Sequence, residues 1–186
     1  NLFSQVHWTK YVNNPVMVPG PSGEWDEEFI SPGSVIYHDS TYHMWYWGGN
    51  MEIGNYLIGH AISPDGITWT KDTNNPVLEW GPDGDWDDQW VSQPEVIFNG
   101  NEYHMWNSAW NESNDNVHKI DHHTSPDGIA WTKDPLNPVL YSESGLWDYP
   151  RVDLPDVIFD GTSFHMWFFG GNWFSGQIGY ATSEDG

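Results

Sequence analysis

A repeat of 61 residues constrains this chain more than any other feature. Tyr42-His43-Met44-Trp45 returns as Tyr103-His104-Met105-Trp106 and as Phe164-His165-Met166-Trp167, 61 residues apart each time. Asn14-Pro15-Val16 returns at Asn75-Pro76-Val77 and Asn137-Pro138-Val139, and Trp25-Asp26 at Trp86-Asp87 and Trp147-Asp148. Ser63-Pro64-Asp65-Gly66-Ile67-Thr68-Trp69-Thr70-Lys71 recurs from Ser125 to Lys133. A unit of this length cannot bury its apolar face alone, so successive copies must stack on one another. The copies divide at 11–71, 72–133 and 134–186 of a single domain. The last stops at Ser183-Glu184-Asp185-Gly186, and the segment Val6 to Lys10, holding Trp8-Thr9-Lys10, reads as its missing closing strand.

Each copy reads as four short strands, in the second copy Val91–Phe98, Glu102–Ala109, Val117–Thr124 and Ala130–Thr132. Asn99-Gly100 and Asp160-Gly161 are tight hairpin signals, with His38-Asp39-Ser40 in the same place in the first copy. The third strand turns into the fourth through Ser-Pro-Asp-Gly, where glycine takes positive φ without strain. No helical periodicity extends beyond a turn or two. Repeated four-stranded antiparallel units make the fold class all-β and describe β-propeller blades, whereas a solenoid of hairpins would use shorter repeats and no split copy. Three blades are fewer than the roughly four to eight that usually close a ring. Two copies related by a two-fold would supply six, so a homodimer with exchanged closing strands is expected. A piece of a larger propeller is the alternative.

Charge narrows the partners. Twenty-seven acidic residues face five basic ones, a formal net charge of −22. Phosphate neutralisation needs clustered Lys and Arg, so nucleic acid and anionic membranes are not expected as partners. An acidic surface poor in lysine fits a neutral or cationic ligand and a secreted or extracellular protein more than a cytoplasmic one. No cysteine is present, which excludes disulfides and zinc–thiolate sites.

The strand sequences resemble a known superfamily. Pro94-Glu95-Val96-Ile97-Phe98 followed by Tyr-His-Met-Trp, the Gly-Gly-Asn runs, and third strands such as Ile58-Gly59-His60-Ala61-Ile62-Ser63 and Ile178-Gly179-Tyr180-Ala181-Thr182-Ser183 resemble the furanosidase superfamily of propeller glycoside hydrolases. That superfamily holds arabinanases, invertase-like fructosidases and levansucrases, glycoside hydrolase families 43, 32 and 68. The resemblance implies a five-bladed fold and carboxylates at the inner ends of first strands. One would protonate the leaving oxygen while another acts as base or nucleophile. With the copies aligned on Val35, Val96 and Val157, one such position holds Ser31, Ser92 and Asp153, and another holds Ser34, Glu95 and Asp156. Asp153-Leu154-Pro155-Asp156 resembles the family's acid-x-Pro-Asp pattern. Asp153 is therefore the candidate general acid, and Glu95 or Asp156 the candidate base. The family's Asp-Pro motif has no match.

Departures from the repeat point to ligand contacts, because a scaffold position can be alike in every copy and a site breaks the symmetry. Gly59-His60-Ala61 and Gly179-Tyr180-Ala181 face Asp121-His122-His123, and Trp47-Gly48-Gly49-Asn50 faces Asn107-Ser108-Ala109-Trp110. Asp121, His122, His123 and Trp110 are thus candidate ligand contacts. Arg151, the only arginine, is the expected partner of Asp153. Trp25, Trp86, Trp90 and Trp147 are candidates to stack on sugar faces. His43, His104 and His165 recur in every copy and read as packing residues. No histidine spacing marks a zinc site, and no cofactor is expected. Asp83-Gly84-Asp85-Trp86-Asp87-Asp88 has the acid density of a calcium loop without the closing Glu, so a solvated loop is the first reading and calcium the alternative. Ser-Pro-Asp-Gly-Ile-Thr-Trp is close to the sialidase Asp-box, a folding turn, but a single arginine does not suit a sialidase. Two functions follow: a glycoside hydrolase-like protein acting on or binding a neutral oligosaccharide in a central funnel, or a non-catalytic glycan- or protein-binding propeller. A propeller fragment without its own ligand is a third.

Overall fold

The computed structural model describes residues 8–50, 55–111 and 116–186. Among the described residues the elements are eleven strands and no helix. The first meander comprises β1 (Phe29–His38), β2 (Thr41–Asn50), β3 (Asn55–Ser63) and a two-residue β4 (Thr70–Lys71). The second comprises β5 (Trp90–Phe98), β6 (Tyr103–Trp110), β7 (Lys119–Ser125) and β8 (Thr132–Lys133), and the third β9 (Arg151–Phe159), β10 (Phe164–Gly171) and β11 (Gly176–Ser183). Sequence expectation and structure differ by one or two residues at most ends. Within each meander neighbours pair antiparallel, and β3 meets β5 through one parallel pair, Tyr56 with Trp90. His118 and Arg151 form the matching parallel bridge between the second and third meanders.

Local chemistry explains the repeated segments. In the Ser-Pro-Asp-Gly turn, Asp65 Oδ1 accepts from the backbone N–H groups of Ile67 and Thr68 at 2.9 and 2.7 Å, and Asp127 does the same for Ile129 and Ala130. The Asn-Pro-Val segment is a clamp. Asn75 accepts from the backbone N–H of His60 and donates to its carbonyl, at 2.7 and 2.9 Å, and Asn137 makes the same pair with His122 at 2.8 and 2.8 Å. Each asparagine thus satisfies both backbone groups of a strand residue, as a neighbouring strand would.

Packing repeats as well. Trp45, Ile58, Val91, Val96, Tyr103 and Met105 form one core between the first and second meanders. Trp106, Ile120, Val152, Val157, Phe164 and Met166, one repeat further on, form the other. The series ends at the third meander. Ile58 and Ile120 are fully buried, whereas Ile178 is 80% exposed; at the opposite end Val35 is 47% exposed where Val96 and Val157 are nearly sealed. The expected closing strand is not seen in Trp8–Lys10, which carry no strand, and Val6 and His7 lie outside the described residues.

Candidate functional site

Where β5 and β9 run inward, each bends at a bulge. The pairing with the second strand shifts between Ser92 and Glu95, and between Asp153 and Asp156. The inserted residues Gln93 and Leu154 both sit at φ 54°, a left-handed conformation that a side chain with Cβ adopts only when its surroundings compel it. A bulge re-aims the residues beside it. Here Val152 points into the core while Asp153, next along, is also buried, against a different set of partners.

Those partners define the site. Arg151 donates to Asp153 Oδ2 from Nε at 2.8 Å and from a terminal nitrogen at 2.7 Å. His118 Nδ1 lies 2.9 Å from Asp153 Oδ1. The Arg151 guanidinium stacks 4.4 Å from the Trp173 ring centre and 5.2 Å from that of Phe169. Trp110 lies flat on His118 with ring centres 4.6 Å apart, and the Leu154 N–H donates to Ser108 across the meander boundary at 3.1 Å. Arg151, Asp153, His118, Trp173, Trp110 and Ser108 line a cavity of about 130 Å³, whose other walls include Trp47, Tyr56, Trp90 and Ser92. The cavity exists because the second meander departs from the repeat: Ser108 stands where the others carry Trp47 and Phe169, and the large ring reappears two residues later as Trp110.

Four of the expected residues, Asp153, Arg151, Trp90 and Trp110, therefore meet in one cavity. Glu95 lies elsewhere, in a neighbouring cavity of about 290 Å³ shared with Ser31, Trp47, Gln93 and Leu154. Burial, then the negative charge of Asp156, pushes the Glu95 carboxyl up to about 7, against the opposing pull of the Val157 N–H and the Ser34 hydroxyl. Ser34, Glu95 and Asp156 are equivalent positions of the three meanders.

The remaining candidates sit in the scaffold. Trp25 stacks on Tyr46, Trp86 receives Lys119 and Lys133 over its ring at 5.3 Å each, and Trp147 packs on Phe168. The aspartate after each of these tryptophans is tied down: Asp26 to Lys71 at 2.5 Å, Asp87 to Lys133, Asp148 to Ser142 at 2.5 Å. Asp88 accepts from the Gly84 N–H and from Asn111, so Asp87 and Asp88 of the acidic loop are engaged by protein donors. A wider cavity, about 520 Å³ between Trp25, Asp26, Tyr46 and Lys71, is lined by groups that already bond one another. We take the smaller cavity as the site because a buried nitrogen there has no partner.

His122 belongs to a relay with His104 at 3.0 Å and Asp134 at 3.1 Å, the counterpart of His43, His60 and Asp72. Asp121 and His123 are buried inside the second meander. In the other meanders a ring, Tyr46 or Phe168, packs over Gly59 or Gly179, where a Cβ would come within 2.6 or 2.2 Å of it. In the second, Asn107 replaces the ring and Asp121 the glycine. Neither Asp121 oxygen, neither His123 ring nitrogen and not the Asn107 oxygen has a hydrogen-bond partner, and His123 Nε2 stands 3.9 Å from Asp121 Oδ2. Among the described residues, no three His, Asp or Glu side chains converge as a metal site.

His118, Tyr56 and Trp173 line the cavity without having been among the expected ligand contacts, and Ser108 was visible only as part of the run that departs from the repeat. His118 and Tyr56 occupy the same repeat position, at the start of the third strand, and that mismatch was the available signal.

No family model matches the chain. It is 32% identical over 181 residues to an uncharacterized protein of Mycobacterium tuberculosis, covering 92% of this chain and 58% of that one. A β-fructofuranosidase of Arabidopsis thaliana, an insoluble isoenzyme, is 28% identical over 115 residues, 59% of this chain and 20% of the plant protein. Among solved structures, a family 117 glycoside hydrolase of the marine bacterium Zobellia galactanivorans superposes with a TM-score of 0.73 at 18% identity, over 91% of this chain and 57% of the enzyme. The fold is that of the β-propeller glycoside hydrolases. The chain spans a little over half the length of both the mycobacterial relative and the family 117 enzyme, so its three meanders correspond to part of such a propeller.

Proposed function

We propose that the chain is a carbohydrate-active propeller that holds a neutral oligosaccharide in the funnel between its meanders. The observation that carries this reading is the cavity at Asp153: tryptophan and tyrosine rings from all three meanders surround a buried Asp–His pair held by Arg151. Aromatic faces stack on the C–H faces of sugars while fixed polar groups orient hydroxyls. Binding is favoured over hydrolysis by Asp153. Both of its oxygens already face donors, an arrangement that suits a positioning carboxylate more than a general acid. Glu95 suits the acid role better, since a carboxyl titrating near 7 with a second carboxylate close by is what general acid catalysis requires. Titration calorimetry with neutral furanosides and pyranosides, alongside a hydrolysis assay on the same panel, tests both parts. Binding without turnover supports a glycan-binding propeller, turnover lost in Glu95→Gln supports the hydrolase, and no binding refutes the reading.

Closure of the funnel belongs to the same proposal. The clamp residue Asn14 is exposed, unlike Asn75 and Asn137, and the β11 residues equivalent to the clamped His60 region are exposed too. A second copy that offers Asn14-Pro15-Val16 to the first copy's Tyr180 would satisfy both ends and make six blades. Light scattering should then give twice the 21.4 kDa chain mass. A monomer would refute closure by a second copy and leave further blades of a larger propeller as the means.

A further inference from the structure

His118 is 7% exposed, and its Nε2 is a buried nitrogen without a partner. The opposite ring nitrogen, Nδ1, faces Asp153 Oδ1 at 2.9 Å, and Arg151 donates twice to the other oxygen of that carboxylate. A carboxylate held by an arginine accepts and does not donate, so Nδ1 carries a proton, and in the neutral form of the ring Nε2 is the bare nitrogen. Nε2 then carries a lone pair. Trp110 stacked flat on the ring prevents it from turning over, and Trp110 is itself tethered through its indole N–H to Asn116 at 3.1 Å.

The same cavity has a second orphan. Trp90 Nε1, a donor only, is buried and unpartnered, and Trp90 and His118 line one space of about 130 Å³. A hydroxyl group both donates and accepts, so a single one can complete this pair. Charge is not called for, because Arg151 is already occupied by Asp153 and the chain's net charge of −22 repels anions. The volume suits one end of a ligand and is well below the roughly 300 Å³ at which sites for larger molecules begin.

We propose that His118 Nε2, fixed as a bare acceptor by the Asp153–Arg151 pair, receives the hydrogen bond of a hydroxyl from an uncharged, polyhydroxylated ligand, with Asp153 acting as a positioning residue. This rests on the sugar-funnel reading and adds to it the atom that recognises the ligand and the tautomer that enables it. It also accounts for the difference between His118 and its counterpart Tyr56: a phenol keeps an O–H to donate, whereas a neutral imidazole bonded through Nδ1–H can only accept at Nε2.

The test is ¹⁵N NMR of the ring nitrogens in the intact chain, with sucrose and methyl α-L-arabinofuranoside as probes. The wild type should show a protonated Nδ1 and an unprotonated Nε2 at His118. Asp153→Asn should move the proton to Nε2, because the amide carbonyl turns to Arg151 and its NH₂ donates to Nδ1. A wild-type ring protonated on Nε2 overturns the proposal whatever the sugars do. Addition of a furanoside should shift the His118 Nε2 resonance, and His118→Phe should weaken binding tenfold or more, read by tryptophan fluorescence. Furanoside binding that leaves Nε2 unmoved, or is unchanged in His118→Phe, overturns the proposal while the sugar reading stands. Failure of both probes to bind the wild type at high concentration overturns the two together.

Discussion

Replacing Asp121 with asparagine should stabilise the protein, and by an amount that grows with pH. Asp121 is fully buried, and neither of its oxygens receives a hydrogen bond from the protein. Burial, reinforced by the Asp87 charge and opposed by Lys133 and Lys119, raises its carboxyl from 3.8 to about 8. A carboxyl whose folded value lies above its unfolded value keeps its proton in the folded chain after the unfolded chain has lost its own. Its contribution is therefore harmless below the unfolded value, becomes steadily more unfavourable as pH rises, and levels off above the folded value. The slope is about 1.4 kcal/mol per pH unit for one proton. Asparagine has the same shape and no charge to desolvate, and it adds an NH₂ donor opposite Asn107, the cross-strand neighbour whose side-chain oxygen lacks a donor. Urea unfolding of wild type and Asp121→Asn, compared at pH 5 and pH 8, should show the variant's advantage growing by about 4 kcal/mol. An advantage constant within about 1 kcal/mol over that range would refute the reasoning, because it would mean that Asp121 ionises alike in both states.

Acid should act on the histidines in the opposite sense: burial lowers His104 to about 4 and His123 to about 3, so the folded chain binds fewer protons than the unfolded chain. Their stabilisation is present above the ordinary histidine value and is lost as pH falls from about 6.5 towards 4, and His104→Gln should flatten that limb of a stability–pH curve. Trp106, almost wholly buried in the second core, should cost about 3–5 kcal/mol on truncation to alanine, read from the urea midpoint. Ser108→Trp, which restores the residue of the first repeat, should fill the cavity at Asp153 and abolish sugar-induced fluorescence change while near-UV circular dichroism stays native. Retained sugar response in that variant would separate the cavity from the binding site.

The scaffold could be read along the chain because its rules are local and periodic. Asn-Pro-Val clamps a strand residue fifteen positions earlier, Asp65 satisfies N–H groups two and three positions later, and Tyr-His-Met-Trp alternates between faces of one strand. Each recurs because each meander needs the same bonds, so repetition alone exposed them, and with them the all-β fold. Departures from the repeat also carried information, since Ser108, Trp110 and Asp121 all mark the second meander. What they build was not legible. Asp121 and Trp110 break the symmetry equally in sequence, yet one is enclosed in the core and the other walls the cavity. Trp90 and Trp86 are likewise only four residues apart, one at the cavity and the other packed beneath two lysines. Asp153 and Arg151 could be paired on paper because they are two residues apart on one strand. His118 joins them from 35 positions away, through a parallel bridge that exists only once the second and third meanders have docked. Sequence by itself determined the repeat, the strands and the turns, because hydrogen bonding and side-chain alternation act over a few residues. Tertiary structure decided which nitrogen of His118 is left bare and which rings surround it, because the site is assembled from three meanders whose side chains meet only across their packed faces.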